Sequence, residues 1–242
     1  HFVMHGLRPA QREEWVVEPV DTGSFYHGAL EGFIRAARQH PQWPNVDETE
    51  CRAMMDAAMA PQVAAWEDRP FSDTARQRKV SEGYMELARR MAWVLTRGAD
   101  NSAFTPEAVE LRFGREGELP PLLLPLPDGK TLALRGTIDR VDRSVGEAGD
   151  WLRVVDYKSG GTSLSPEKIW AGMQLQLLLY LRQALRLFPE SAPAGVFYQK
   201  LEDPIVSTDR EELVDGEIFK ALRLNGIIVD EPRVVQLMDL QE

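Results

Sequence analysis

The sequence predicts an α/β fold, a mixed sheet flanked by helices with an added helical lobe. Three observations predict it. Two β-rich runs, Leu132 to Asp142 and Trp151 to Lys158, flank turn-forming residues at Gly146 to Asp150, the pattern of an antiparallel hairpin. Apolar residues recur at helical spacing before this hairpin and again after it, from Ile169 to Leu187. The 242 residues are 43% apolar and 27% charged, a balance that supports a buried core. The length suits one domain, 1–242, with a helical lobe at 42–98 and a core of sheet and helix at 104–200.

Taken in order, Arg12 to Val20 reads as extended, and Asp21-Thr22-Gly23 opens a helix that ends near the His40-Pro41 break. Phe25, Leu30, Phe33 and Ile34 form its apolar stripe; His27 and Glu31, four apart, share another face. A linker follows, and Asp47 caps a second helix whose stripe of Met54, Met55, Ala58 and Met59 reads as core rather than as a cofactor site. Ser72 or Asp73 caps a third, long helix ending at Arg97-Gly98, with Tyr84, Leu87, Met91 and Leu95 on its buried face. Arg76, Arg90 and Arg97 fall near a further face, by default a solvated one, otherwise one able to track a DNA strand.

Ala108 to Phe113 alternates as a first strand, with Glu110 pointing opposite Val109 and Leu111. Four prolines between Glu118 and Asp128 exclude a central strand there and leave an apolar connector or docking surface. Past the hairpin, Gly160-Gly161 permits a sharp exit and Ser165-Pro166-Glu167 begins the next helix. That helix is apolar almost all round to Leu187, so burial is expected. Gln176 and Tyr180 are its polar exceptions, one turn apart, and each needs a partner. Gly195 to Lys200 reads as a core strand, Arg210 to Leu224 as a helix stopped by Asn225-Gly226, and the tail as packed against the sheet.

The chemistry sits at the end of the hairpin. Side chains two apart in a strand share a face, so Leu152, Val154, Asp156 and Lys158 line one side, with the charged pair at the end. Asp139 closes the first strand and can reach the same spot. Two carboxylates and an ammonium are costly to bury unless paired or holding a metal. Two carboxylates can hold a Mg²⁺ that keeps several waters and takes oxygens from a phosphate. An adjacent lysine can orient a water or stabilise charge developing in the transition state. Phosphodiester hydrolysis is the expected chemistry. An Asp-x-Lys alone is as readily a solvated surface pair; Ile138-Asp139 upstream and the Gln176 helix favour the site.

Gly136-Thr-Ile-Asp139-Arg-Val-Asp142, Val154-Val-Asp156-Tyr-Lys158-Ser-Gly160 and Gln176-Leu177-x-x-Tyr180 resemble the PD-(D/E)XK nucleases of the RecB type. More closely, they look like the C-terminal nuclease domains of the AddB family, and the resemblance extends over nearly the whole chain. It starts at His5-Gly-Leu-Arg8, passes through Gly23-x-x-x-His27-x-x-Leu30-Glu31, and reaches Leu224-Asn-Gly226 and Leu237-Met-Asp239. It implies a restriction-endonuclease-like sheet and an exonuclease that cuts single-stranded DNA of 5′→3′ polarity beside an AddA-like helicase-nuclease partner, in double-strand break processing and recombinational repair. Asp139 and Asp156 would bind Mg²⁺ or Mn²⁺, with the carbonyl of Tyr157 and His27 as further ligands, and Lys158 would position the attacking water. Glu31 would at most orient His27, and Glu110 is a weak candidate that a cross-strand arginine can equally claim. Gln176 and Tyr180 would contact the DNA backbone, internal hydrogen bonding being the plain alternative. A Cas4-like nuclease, or a catalytically silent DNA-binding or structural module, are the rival readings. Many AddB-type proteins carry an iron–sulfur cluster on cysteines that flank this region; Cys51 matches none of those positions, so a cluster is not supported here.

Other properties bound these readings. A net charge of −10 speaks against an indiscriminate nucleic-acid coat but not against a focused site that holds phosphate through a metal. There is no apolar run of membrane-spanning length and no G-x-x-x-x-G-K-[ST] string, so neither a membrane nor an ATP site is expected. A single cysteine excludes an internal disulfide and suits a reducing cytoplasm. A chain opening on His1 reads as a piece of a longer protein.

Overall fold

The computed structural model describes residues 19–67, 75–146, 149–204 and 214–240. The described residues begin with three helices: α1 (Pro19–Gln39), α2 (Glu48–Glu67) and α3 (Ala75–Asp100). The sheet elements are β1 (Thr105–Phe113), β2 (Leu122–Pro125), β3 (Thr131–Leu134), β4 (Gly136–Ser144) and β5 (Asp150–Lys158). After α4 (Pro166–Trp170) and α5 (Gln176–Leu187) come β6 (Ser191–Lys200), α6 (Val214–Ala221), β7 (Asn225–Ile228) and α7 (Pro232–Met238). A five-stranded mixed sheet in the order β1-β4-β5-β6-β7 lies between helices, a restriction-endonuclease-like arrangement. Only β5 and β6 run parallel, joined by the crossover through α5, which packs on both.

The predicted hairpin is β4–β5, antiparallel, with Val141 opposite Val154 and Arg143 opposite Leu152. Helices α1 to α3 pack on one another, and their stripes meet the sheet through Val109 and Tyr157. Leu30, Phe33, Met55 and Met91 are fully buried there, each contributing about 1.5–3 kcal/mol of transfer free energy. A second core lies under α5, where Leu177 and Ala184 meet Ile138, Val141, Leu152 and Val154. Helix α7 closes a third, placing Val234 against Phe104 and Ala194.

Several boundaries differ from the expectation. Helix α1 already includes Pro19 and Val20, since a proline in the first turn gives up an N–H that has no helical partner; residues 12–18 lie outside the described ones, as do His5 to Arg8, Ser72 and Asp73. The run from Leu132 to Asp142 is broken at Arg135. Its first part, β3, pairs with β2 in a separate two-stranded sheet, so the proline-rich stretch is an outlying strand rather than a bare connector. Asp139 does not close its strand: β4 runs on to Ser144 because Arg140 to Ser144 go on pairing with β5, which leaves the carboxylate mid-strand, accepting the Tyr157 N–H. Asn225-Gly226 starts β7 instead of stopping a helix. Gly226 pairs with Phe197, and a Cβ there would run into the Val196 carbonyl oxygen, so this glycine serves a close approach of strands.

The largest departure is the segment expected to be one buried helix from Ile169 to Leu187. It is two helices, separated at Gly172, whose φ of +74° ends α4. Trp170 is 94% exposed and Met173 70% exposed.

Candidate metal centre and active site

Three elements bring the predicted side chains together. Strand β5 ends in Asp156 and Lys158, β4 carries Asp139, and α1 lies against β1 so that His27 reaches the same end of the sheet. Asp139 is 7% exposed and Asp156 2% exposed, so each carboxylate needs a compensating partner.

Asp139 Oδ2 accepts the backbone N–H of Tyr157 at 2.7 Å, and its Oδ1 lies 3.5 Å from His27 Nδ1. The same Nδ1 lies 3.3 Å from Glu110 Oε1, and the His27 ring meets Tyr157 edge to face at 5.7 Å between centroids. Val109 pairs with Arg140 and Leu111 with Ile138, which sets Glu110 opposite Asp139 on the neighbouring strand. Glu110 has a φ of +50°, a left-handed conformation that costs a non-glycine residue on the order of 1 kcal/mol. The strain coincides with a carboxylate aimed at His27. Ligand atoms of His27, Glu110 and Asp139 all lie within 4.8 Å of one another.

Asp156 is held from the other side. Its Oδ1 accepts a hydrogen bond from Gln176 Nε2 at 3.2 Å, and the same amide donates to the Tyr180 hydroxyl at 3.0 Å. Lys158 Nζ lies 2.6 Å from Asp156 Oδ2 and 5.6 Å from the centroid of the Tyr198 ring. Oδ2 is buried, and the Lys158 ammonium is the charge that compensates it.

The family model of the PD-(D/E)XK nuclease superfamily matches residues 1–241. The chain belongs to that superfamily. It is 33% identical over 249 residues to an ATP-dependent helicase/deoxyribonuclease subunit of Clostridium kluyveri, covering 99% of this chain and 22% of that protein. The helicase/deoxyribonuclease subunits of Listeria innocua (32%, 99% of this chain, 21% of the relative) and Alkaliphilus oremlandii (30%, 99% and 22%) are similar. The chain thus spans about a fifth of the length of the curated relatives it matches.

Nucleases of the PD-(D/E)XK superfamily use divalent metals, and the donors here suit one: the His27 imidazole clusters with the Glu110 and Asp139 carboxylates, and the charge of a further buried carboxylate, Asp156, is felt at Asp139. The electrostatics agree. Burial, with the charge of Asp156 added, pushes Asp139 up to about 7; His27 and the Tyr157 N–H pull the other way. Burial also raises Asp156 against the opposing pull of Lys158. The hydrogen bond to Glu110 raises His27 despite its partial burial. Burial lowers Lys158, but the bond and charge of Asp156 outweigh it, so the ammonium stays charged at neutral pH. The metal-free centre is therefore one in which negative charge is in excess and protons compete for it. A pH prediction follows from the sign. Below about 7 Asp139 binds a proton and loses ligand strength, and a proton on His27 competes in the same direction, so the half-saturating Mn²⁺ concentration is expected to rise at least about tenfold per pH unit below that value. Titration of the wild-type chain with Mn²⁺ between pH 5.5 and 8.5 reads this directly; a flat profile contradicts it.

Glu31 does not orient His27. Its Oε1 accepts from Arg35 Nε and Nη2 at 3.0 and 2.8 Å, one turn further along α1, and Glu110 makes the contact with His27. The arginine face of α3 is likewise occupied: Arg90 pairs with Asp203, and Arg97 pairs with Asp100 at 2.7 Å; the side chain of Arg76 lies outside the described residues. Cys51 is buried 3.4 Å from the Thr96 hydroxyl.

One supporting network is not anticipated by the sequence motifs. Asp142 is 1% exposed and bridges Arg140 (2.8 Å) and Arg153 (2.9 Å), both buried. Arg140 Nη1 in turn donates to the Tyr157 hydroxyl at 3.3 Å, fixing the residue whose N–H holds Asp139. Its signal is present in the sequence as charges at β4 and β5 positions flanked by Val141, Val154 and Val155. Such charges demand partners on the adjacent strand.

Proposed function

We propose that this chain is a Mg²⁺- or Mn²⁺-dependent deoxyribonuclease that hydrolyses phosphodiester bonds of single-stranded DNA as an exonuclease. It would be the nuclease of a helicase-nuclease complex, cytoplasmic, working beside an AddA-like partner in double-strand break processing and recombinational repair. The observation that carries the reading is the gathering of His27, Glu110 and Asp139 within 4.8 Å, with Asp139 tied to Tyr157 next to the buried Asp156 and its Lys158 ion pair. The helicase/deoxyribonuclease name of the relatives supports the DNA substrate and the partner. No helix among the described residues is long and apolar enough to cross a membrane.

Asp139, Asp156 and the Tyr157 carbonyl would hold the metal, with His27 as a further ligand and Glu110 either ligating or fixing the His27 ring. The metal, when bound, supplies Lewis acidity toward phosphate oxygens and a lowered pKa for water. The protein's own share is orientation and charge. Lys158, cationic at neutral pH, donates hydrogen bonds rather than accepting a proton, so it positions the attacking water and stabilises the extra negative charge of the pentacoordinate transition state. Gln176 gives its two amide hydrogens to Asp156 and to the Tyr180 hydroxyl, which leaves the hydroxyl hydrogen of Tyr180 to donate to a backbone phosphate. A lone cysteine cannot hold an iron–sulfur cluster, so none is assigned to this chain.

The test uses end-labelled oligonucleotides, single-stranded and duplex, with Mg²⁺, Mn²⁺ or EDTA. Shortening of the single strand from one end, in metal only, is the expected result. Equal cutting in EDTA, or cutting of duplex in preference, contradicts it.

A further inference from the structure

The seventeen residues between Lys158 and Gln176 leave the sheet and return with both ends anchored on one carboxylate: Lys158 ion-pairs with Asp156 at 2.6 Å and Gln176 donates to it at 3.2 Å. This excursion is built to be rigid. Ser165 caps α4 by accepting the Lys168 N–H, while Met173 N–H donates to Lys168 O and Gly172 N–H to Ile169 O, a double-bonded helix stop. Gln174 then ties the loop to itself, accepting from Ser165 N at 2.8 Å and donating to Ser163 O at 3.0 Å. In this braced loop Trp170 is 94% exposed and Met173 70% exposed, and Lys168 is exposed as well. An indole held in water by an ordered backbone forgoes burial that its neighbours in the core obtain. Fixing it in advance removes the ordering cost of a later contact.

We propose that Trp170, in a loop that also exposes Met173 and Lys168, is a stacking platform for unpaired bases of the strand that enters the Asp139–Asp156 centre. This rests on the nuclease reading of that centre. Three features select nucleic-acid bases as the occupant. The platform is continuous with the catalytic carboxylate through both of its ends. The same short loop exposes an aromatic ring and a cation, the combination that binds single strands without reading their sequence. And a flat indole face gains its stacking energy only from a base that is not already stacked in a duplex, which makes the platform a selector for single strands.

The test is equilibrium binding, by fluorescence anisotropy in EDTA, of the 242-residue chain and its Trp170→Ala and Trp170→Phe forms. Trp170→Ala is expected to weaken binding of a single strand by about 10- to 100-fold, and Trp170→Phe to restore most of it. On a strand of equal length and charge whose bases are replaced by abasic sites, wild type and Trp170→Ala should bind alike, since no base remains to stack. Two results overturn the proposal: unchanged affinity of Trp170→Ala for the normal strand, or an equal loss on the abasic strand. Either assigns the exposed indole to a protein contact. Metal-dependent cutting by the wild type is scored separately, so failure of the platform and failure of the nuclease reading are told apart.

Discussion

Lys158→Met is expected to lower the cleavage rate at saturating metal and DNA by about 10²–10³-fold, the range for loss of one preorganised donor at a developing charge. Methionine keeps an apolar stem against Tyr198 but loses the ammonium that lies 2.6 Å from Asp156. Because that ammonium and the metal draw on the same carboxylate, its removal leaves metal affinity unchanged or tighter. The defect therefore falls on kcat, while the half-saturating Mn²⁺ concentration stays level or drops. Lys158→Arg should recover part of the rate. Single-turnover cleavage with a metal titration measures both quantities. A variant whose loss is cured by excess metal would show that Lys158 only shapes the metal site.

Asp139→Asn is expected to do two opposite things. Cutting is lost, by about 10³-fold or more, because a neutral amide is a poor ligand for a hard cation. In EDTA at pH 8.5, however, the folded chain becomes more stable, by about 1–3 kcal/mol. The sign follows from the raised pKa. A carboxyl whose folded-state pKa exceeds its unfolded value contributes stability that is fully present at low pH and lost as pH rises through the folded value, about 7 here. Above it the buried charge sits next to Asp156 and costs stability, and the amide removes that cost while still accepting the Tyr157 N–H. Saturating Mg²⁺ should reverse the order, stabilising the wild type alone. Urea unfolding in the two buffers checks the crossover; a variant less stable than wild type in EDTA contradicts the burial cost assigned to the Asp139 charge.

What could be read in the sequence was mostly local. The β4–β5 hairpin announced itself through alternation and a turn-rich gap, and it carried Asp156 and Lys158 to one face. The stripes of α1 to α3 needed only a helical period. Contacts between distant parts of the chain were harder. Glu110 reaches His27 across 83 residues, and its left-handed backbone could not be foreseen in a strand of ordinary alternation. Glu31 looked the better neighbour because it shares a helix face with His27, yet Arg35, also four residues away, claims it. The break between α4 and α5 was hidden for a different reason. Apolar residues continue through Ala171-Gly172-Met173, and periodicity alone does not separate a buried helix from an exposed loop that presents Trp170.

Asp139 within β4 and Asp156 near the end of β5 are proposed to make a metal-dependent phosphodiesterase. Degradation of labelled single-stranded DNA by the wild type and by Asp156→Ala, each with Mg²⁺, Mn²⁺ and EDTA, tests it most directly. Cutting by the wild type in metal alone, reduced at least about 10³-fold in Asp156→Ala, is the result this account predicts. Cutting by both forms at similar rates would contradict it and place the chemistry elsewhere.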